Sequence, residues 1–392
     1  MRIWIALIIL ILTCSLTASA QSQTPGSQRP VTQQEIDQLK QQILNEDRST
    51  AEAITEFHHE SGDLNNRLDQ FRYGGRLNLR LNSSGGVYLT ATRTKYMPLI
   101  SSYGQWGTNF TGGVMAKISD AADFRIEGGV TRFSTDTTTF NGSATLRFSP
   151  TDLTNFYAIA SRSNVDESLL SVTGLRAVSG PFAGQLVGRV MDNRAVFGGS
   201  ARLPANFDVF GEGGIGNREG VNVPSNFFGT VGGGIGYTIL ATGGEDPLSH
   251  LRAAYEINYT GFQDDRFGFG GASLVSRTNT NIPVSRIGSD GISPVPAAGH
   301  PGVGGYFSPR NFLSGVFRGE AQGGSESTIS YRVTGFFGSQ AFTGTSRHLA
   351  YGGSGTVTFA LTDRFSLPVT FMADNYGPFT QQSLYARLVI RF

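Results

Sequence analysis

The last ten residues, Ser383–Phe392, read SLYARLVIRF and decide how the rest of the chain is interpreted. Apolar side chains occupy every second position of this stretch, namely Leu384, Ala386, Leu388, Ile390 and Phe392. The opposite face is more polar, because it carries Arg387 and Arg391. A period of two is the repeat of a β-strand whose two faces meet different surroundings. The stretch therefore predicts a strand with one apolar face and one polar face.

The same alternation recurs along most of the chain. Clear examples lie at residues 76–82, 140–148, 251–260, 329–337 and 364–374. Pro368 falls inside the last of these, where we expect a local bulge. Such strands also suit the surface of a soluble β-sandwich. An apolar face that recurs behind a signal peptide and ends at an aromatic residue instead favours a transmembrane β-barrel, whose last strand pairs with the first and leaves no free edge.

The composition agrees with a barrel and argues against a nucleic-acid partner. The chain has 392 residues, 39% hydrophobic and 16% charged, with 52 glycines and 28 phenylalanines. Half of each barrel strand faces lipid and half faces water, so the average hydrophobicity is unremarkable for a membrane protein. The formal net charge of +1 gives no basic surface that would attract a polyanion.

Residues 1–20 are predicted to be a secretory signal peptide. Arg2 supplies the positive start, residues 3–12 form an apolar run, and residues 18–20 read Ala-Ser-Ala, a small-residue cleavage site. The run is too short for a transmembrane helix. A lipoprotein anchor at Cys14, the only cysteine, fits poorly because no small residue precedes it. We expect a mature protein without disulfides, located in the outer membrane of the cell.

Residues 21–48 are predicted to form a periplasmic linker and a short helix. Thr32 is a candidate N-cap and Glu35 lies three residues later, which is the spacing of a capping box. Ile36, Leu39 and Ile43 form a narrow apolar stripe that would dock on another surface.

Residues 49–392 are predicted to form a 16-stranded antiparallel transmembrane β-barrel, so the fold class is all-β. Both ends of a single-chain barrel lie in the periplasm, where connections are short. Counting back from Phe392 makes the short links periplasmic turns and residues 261–308 one long outer loop. The count requires residues 183–203 to be one long, kinked strand, and it requires a first strand near residues 49–59, where alternation is weak.

Three stretches resemble a known family. Residues 161–171 read SRSNVDESLLS, residues 207–211 and 220–226 read FDVFG and GVNVPSN, and residues 304–309 read GGYFSP. In this order they resemble the C-terminal barrel domain of cellulose synthase operon protein C. The helix at residues 35–39 and the ending at residues 384–387 are also similar to that family, so the resemblance covers roughly residues 35–392.

The resemblance implies a 16-stranded pore that exports a polysaccharide, cellulose or a similar β-glucan. Full-length members of the family carry tetratricopeptide repeats before the barrel, and this sequence shows no 34-residue period. The implied partners are therefore the glycan, outer-membrane lipid, and a separate periplasmic repeat protein with an inner-membrane synthase. The alternative is a general diffusion porin or a structural outer-membrane protein without a dedicated glycan.

Polar residues on the alternating strands are the candidates that line the pore. They are Arg76, Arg80, Arg147, Arg252, Glu256, Arg332, Arg364 and Arg387. Any water-filled barrel needs polar inward residues, so this set by itself indicates a wet lumen rather than a specific site.

Tyr306 and Phe307, at the end of the long outer loop, are candidates for glycan contact or for gating. Aromatic faces can stack on the apolar faces of sugar rings. The same pair would also suit an aromatic girdle at the membrane interface.

An enzyme is the third hypothesis, and the residues do not favour it. His348 and Ser346 lie two positions apart, yet no acid stands in position to orient the histidine. His58 and His59 are adjacent and point to opposite faces of a strand. We therefore predict no catalytic residues, no metal site and no cofactor.

Overall fold

The structure, a computed structural model, describes residues 49–62, 68–82, 84–98, 104–167, 169–177, 182, 184–242, 246–264, 274–275, 306, 308–343, 347–376 and 379–392. The predicted signal peptide, linker and N-terminal helix lie outside these residues. Within them, no helix has the length and the hydropathy needed to cross a membrane.

Sixteen strands of 11 to 19 residues form one closed antiparallel barrel, as the sequence predicts. They are β1 (Thr50–Gly62), β2 (Leu68–Asn82), β3 (Gly85–Pro98), β4 (Gln105–Ser119), β5 (Ala122–Phe133), β6 (Thr138–Thr151), β7 (Thr154–Asn164), β9 (Leu186–Arg202), β10 (Phe207–Val221), β11 (Val223–Ala241), β12 (His250–Phe262), β14 (Phe312–Gly324), β15 (Ile329–Phe342), β16 (His348–Ala360), β17 (Phe365–Tyr376) and β18 (Phe379–Arg391). Three short elements lie apart from this wall: helix α1 (Leu169–Thr173), β8 (Leu175–Ala177) and β13 (Leu274–Val275).

The barrel closes where the first strand meets the last. β1 pairs with β18 over thirteen residues, from Thr50 opposite Arg391 to Gly62 opposite Phe379, and with β2 on its other side. The backbone N–H of Phe392 also donates to the carbonyl oxygen of Ser49 at 3.0 Å. The weakly alternating stretch near residues 49–59 is therefore a full barrel strand, as the strand count requires.

The predicted kinked strand is also present. β9 runs unbroken through Leu186–Arg202, and its pairing with β10 shifts register between Glu219 and Val221, opposite Met191 and Gly188. Gly188 has a φ of 92°, a left-handed conformation that glycine adopts without strain. Residues 183–185, where the prediction begins this strand, precede it.

Pro368 does not cause the predicted bulge. β17 keeps one register with β18 on both sides of it, from Phe365 opposite Ile390 to Val369 opposite Ala386. The ladder between these two strands is interrupted at Leu367 and Pro368, because proline has no N–H to donate. The prediction of a bulge is therefore wrong, since one missing donor leaves the strand spacing unchanged.

The connections show which end of the barrel is periplasmic. Short links join the strands at the end that holds Ser49 and Phe392, at residues 83–84, 120–121, 152–153, 203–206, 242–249, 325–328 and 361–364. The two longest links, residues 165–185 and 263–311, lie at the opposite end. Short turns face the periplasm in single-chain barrels, so the long links are extracellular.

On the clearly alternating strands the apolar face points outward to lipid. On β12, Ile257 on the outer face is 49% exposed, whereas its neighbour Glu256 on the inner face is 3% exposed. Leu388 on the outer face of β18 and Phe392, which directly follows this strand, are also exposed. The inner face is polar, so the barrel core is a hydrophilic lumen.

We expect Ile257→Arg to destabilise the folded barrel by about 2–4 kcal/mol, because the new charge would face lipid near the middle of β12. Asn258→Arg, one residue along on the lumen face, is the matched control and should change stability little. Chemical unfolding in lipid vesicles measures both variants. Equal destabilisation by the two substitutions would contradict the assigned orientation of the strand.

Candidate functional site

The lumen wall is the candidate site, and most of the predicted pore-lining residues lie on it. The register places seven of them at inward strand positions: Arg76, Arg80, Arg147, Arg252, Glu256, Arg332 and Arg387. Arg391 is also inward, opposite Thr50. Arg364 is different, because β17 begins only at Phe365 and Arg364 is exposed in the preceding periplasmic turn. Its predicted place on a lumen-facing strand position is therefore corrected.

Inward charges on neighbouring strands neutralise one another. Arg252 donates to Asp208 at 2.9 and 2.5 Å and to Glu320 at 3.0 Å, so one guanidinium joins three strands. Beside it, Arg318 forms a two-pronged pair with Glu256, at 2.7 and 2.9 Å. Because these guanidinium and carboxylate groups are paired and partly shielded from water, they hold each other in a fixed geometry.

The same pairing continues around the barrel. Arg72 pairs with Glu56 at 3.0 Å, Arg125 with Glu127 at 3.2 Å and Arg387 with Glu52 at 3.5 Å. Arg332 instead donates to the amide oxygen of Gln322 at 2.9 Å. Where these ion pairs lie, positive and negative side chains stand side by side, which weakens the attraction of the wall for a charged polymer.

Aromatic rings lie flat on the inner wall, each seated over a glycine of the next strand. The five directly opposed pairs are Tyr88 with Gly113, Tyr157 with Gly198, Phe210 with Gly234, Phe228 with Gly216, and Phe336 with Gly352. A Cβ atom built on any of these glycines would lie no farther than 2.7 Å from a ring carbon. The glycines therefore leave the space that the rings fill.

Arginine guanidinium groups cover several of these rings from the lumen side. Arg125 and Arg76 stand 4.5 and 4.6 Å from the centre of the Tyr88 ring. Arg252 lies 5.7 Å from the Phe210 ring, and Arg318 lies 5.3 Å from the Phe336 ring. Cation–π stacking holds each guanidinium flat, so the wall presents hydrogen-bond donors rather than bare rings.

The segment of residues 165–185 is here called the plug segment, and its described residues, 165–167, 169–177, 182 and 184–185, lie at the outer end of the lumen. Its helix α1 is wholly buried. Leu169 and Val172 pack against Leu68, Tyr96 and Phe133, which are inward residues of β2, β3 and β5. Asn164 at the end of β7 donates to the carbonyl oxygen of Val172 at 3.2 Å. The plug segment thus narrows the pore at its extracellular mouth.

The opposite side of the plug segment packs against β9, β11 and the end of the long outer loop. Leu170 and Val165 form one apolar cluster with Val187, Val190, Val223 and Tyr306. β8 of the plug segment also pairs with β13 of the long outer loop, Ala177 opposite Leu274. Described residues of two extracellular links therefore meet at the outer end of the lumen.

A buried ion cluster ties the plug segment to the wall. Arg218 on β10 is fully buried and donates to Glu167 of the plug segment at 2.8 Å and to Asp192 on β9 at 3.1 Å. Its guanidinium also lies 5.0 Å from the centre of the Tyr306 ring. A charge buried this deeply needs such partners, so the cluster holds the plug segment only while all of them are in place.

Asp166 lies at a second contact between the plug segment and the wall. Its carbonyl oxygen accepts from Gln70 at 3.4 Å. Burial raises the pKa of its carboxyl above the ordinary value, while His58 and Arg72 act in the opposite direction. Because docking of the plug segment raises this pKa, the docked state is favoured when the carboxyl is protonated. The contact therefore weakens as the pH rises through that pKa.

The two outer-loop candidates differ in what the structure shows. Tyr306 is only 1% exposed, because its ring lies inside the apolar cluster and beneath Arg218. In this closed arrangement its faces are covered by protein. Phe307 lies outside the described residues.

No catalytic arrangement is assembled by the described histidines. His58 shares a hydrogen bond of 2.8 Å with Ser383, and His59 one of 2.5 Å with Asp69. The His348 ring stacks against Phe342, while Ser346 lies outside the described residues. Among the residues that the structure describes, no group of His, Cys, Asp or Glu could hold a metal ion.

Two features could not be found from the sequence. One is the set of ring seats, meaning the glycines that lie opposite the five aromatic rings, and the other is the ion cluster around Arg218. The sequence has glycine runs at residues 112–113, 213–214 and 232–234. Only the register shows that Gly113 and Gly234 face aromatic rings. Arg218, Asp192 and Glu167 are separated by up to 51 residues, and no local pattern brings them together.

Comparison with known proteins places this geometry among outer-membrane barrels. The family model described as "Cellulose synthase operon protein C C-terminus" matches residues 34–271. Comparison with curated proteins gives no match. A solved structure described as "Bacterial polysaccharide outer membrane secretin" is similar with a TM-score of 0.59 and 10% identity, covering 88% of this chain and 98% of that one.

Two further solved barrels are similar at lower scores. The CymD monoaromatic hydrocarbon channel has a TM-score of 0.44 and 8% identity, with 88% of each chain covered. OccK5 (OpdH) of Pseudomonas aeruginosa has a TM-score of 0.38 and 9% identity, covering 88% of this chain and 98% of that one. At these identities the similarity concerns the fold.

We expect Gly113→Ala to destabilise the barrel by about 1–3 kcal/mol, the usual cost of overpacking. The new Cβ would press on the Tyr88 ring, which Glu127 and two arginines hold in place. Gly319→Ala is the matched control, since nothing lies within 4 Å of its Cβ. Chemical unfolding compares them, and equal stability of the two variants would argue against the ring seat.

Glu167→Gln should raise the open probability of the pore about tenfold or more. It removes the charge from a bond to Arg218, and such charged bonds contribute about 1.5–3 kcal/mol. Arg218 keeps Asp192, so the wall should stay folded. The control is Glu219→Gln, which removes a Glu–Arg162 pair on the outer face of β10. Single-channel recording in planar bilayers measures both variants. Unchanged opening in Glu167→Gln would show that this ion cluster does not hold the plug segment in place.

Proposed function

Because the chain belongs to the family of the C-terminal domain of cellulose synthase operon protein C, we propose that it carries a neutral β-glucan, cellulose or a close relative, out of the cell. The family and the fold are those of an outer-membrane β-barrel for polysaccharide export. They are those of a transport protein rather than an enzyme. What we propose beyond polysaccharide export is the identity of the glycan.

The charge pairing of the lumen wall is the observation that carries this choice of cargo. A polyanion would be drawn by unpaired positive charge along the lumen. Here Arg252, Arg318 and Arg72 are each held by a carboxylate of another strand. Arg125 is held by Glu127 of its own strand. A neutral chain of sugars can pass such a wall by exchanging hydrogen bonds between its hydroxyls and the fixed polar groups, without competing against strong ion pairs.

The plug segment makes export conditional on an opening step. α1 fills the outer mouth, and its contacts are a small apolar cluster on each side and the bond between Glu167 and Arg218. We propose that Tyr306 acts in gating, since its ring joins the plug segment to the long outer loop. Contact of Phe307 with the glycan stays a prediction.

The proposed residues for the passage itself are the seven inward charges, Arg76, Arg80, Arg147, Arg252, Glu256, Arg332 and Arg387. We propose that they provide the polar surface along which the glycan hydroxyls move. The proposal also extends to protein partners: a separate periplasmic repeat protein and an inner-membrane synthase, as the family resemblance implies, would deliver the glycan to the periplasmic end.

Deletion of the gene in a cell with active glycan synthesis should remove the polymer from the cell surface. Complementation with the wild-type chain should restore it, because the lumen is then the route outward. Surface glycan is measured by dye binding and by its release after glucanase treatment. Unchanged surface glycan in the deletion strain, with synthesis still active, would refute the export function.

Pore block in planar bilayers separates the proposed cargo from its alternatives. In the Glu167→Gln variant, neutral cello-oligosaccharides should block the current at concentrations at least tenfold lower than anionic oligouronates of equal length. A general diffusion porin should show no such preference. Stronger block by oligouronates would overturn the neutral cargo.

A further inference from the structure

A large hollow lies on the lipid-facing side of the wall, across strands β5 to β12. Its floor includes two small side chains that stand directly opposite each other, Ala160 and Ala195. Long apolar side chains surround it, including Phe140, Ile215 and Phe227, which are 58–72% exposed. The hollow has a volume of about 1370 Å³.

A second hollow of about 760 Å³ continues from the first toward the periplasm. The two share Ala160, Ala195 and Ile215, and the second is bounded by Phe124 and Leu146. Pockets that hold a drug-sized ligand measure roughly 300–1,000 Å³. The joined space can therefore take more than one acyl chain, and its walls are aliphatic and aromatic.

The outer margin of the hollow is polar and carries two arginines, one of which is paired with Glu219. Arg162 and Arg310 are the outward-facing charged residues that line it. Glu127 also borders it, but its carboxylate points into the lumen, where it bonds Tyr88 and Arg125. Arg162 lies two residues from the outer end of β7, and Arg310 lies two residues before β14. Both therefore stand at the level of the outer leaflet headgroups.

The neighbours of Arg162 keep it at this margin. Its Nη1 donates to Asn193 and, at 2.8 Å, to Glu219. The described hydrogen bonds of Arg162 thus run through Nη1, so they do not use its Nε and Nη2 donors. Arg310 is exposed. A guanidinium presents two parallel donors that match a phosphate group.

We propose that this hollow binds a phosphorylated, multiply acylated lipid of the outer leaflet. The acyl chains fill the space above Ala160 and Ala195, and the phosphate contacts Arg162 and Arg310. Charge complementarity favours this occupant over a second copy of the chain, since a two-fold contact would bring the same arginines against each other. The inference does not depend on what passes through the lumen.

The test uses the complete barrel in nanodiscs made of phosphatidylcholine with a small fraction of phosphorylated lipid A. Native mass spectrometry counts the lipid A retained by each barrel. Ala160→Phe, which fills the hollow from the lipid side, and the double variant Arg162→Gln with Arg310→Gln should each lower retention at least tenfold. The control is Arg93→Gln, another outward arginine at the outer end of a strand, which stacks on Trp106 at 4.5 Å. It should retain lipid A like the wild type.

Dephosphorylated lipid A should bind at least tenfold more weakly than the phosphorylated form. Equal retention in the wild type and both hollow variants would overturn the site. Equal retention of the two lipid forms would overturn the role of the arginines. A cysteine at position 160 that cross-links two barrels in high yield would show that a second copy occupies the hollow, which would also overturn the proposal.

Discussion

The pairing of β1 with β18 is the constraint on which the rest of the structure depends. A strand inside a bilayer cannot leave its N–H and C=O groups unpaired, because no water is present to satisfy them. Thirteen residue pairs join these two strands, so the sheet has no free edge. The partners also explain how a weakly patterned strand survives. The outward positions of β1 carry small residues such as Ala51 and Ala53, and β18 and β2 hold it from both sides.

Closure in one register determines the chemistry of the lumen. Once each strand is aligned with its neighbours, Arg252 meets Asp208 and Glu320, and Arg318 meets Glu256. The ring seats obey the same register, since Tyr88 finds Gly113 only at that alignment. A slip of one residue would turn every charged side chain toward lipid. The wall is therefore a lattice of paired charges and covered rings, which suits the passage of a neutral polymer.

The plug segment is held differently from the wall. The strands are joined by long ladders of backbone hydrogen bonds, whereas the plug segment is held mainly by side-chain contacts, the Glu167–Arg218 pair and the short pairings of β8. Elements with few such contacts open at lower free energy than the body of a fold. This difference allows the mouth to open while the barrel stays closed around it. The outer face of the barrel is not uniform either. A hollow floored by alanines interrupts its otherwise bulky apolar surface.

Local patterns of the chain were enough to predict the barrel, its sixteen strands and the outward apolar face, because a period of two and the order of short and long links can be read from neighbouring residues. The family followed from the resemblance of a few short stretches. The sequence also placed seven of the eight predicted lumen charges on the inner wall. Only the tertiary structure decided that Arg364 belongs to a turn, that Tyr306 is buried and that Arg218, Asp192 and Glu167 meet. These outcomes depend on register and on the inward path of the plug segment. They arise from contacts between residues far apart in the chain, which no local alternation of side chains specifies.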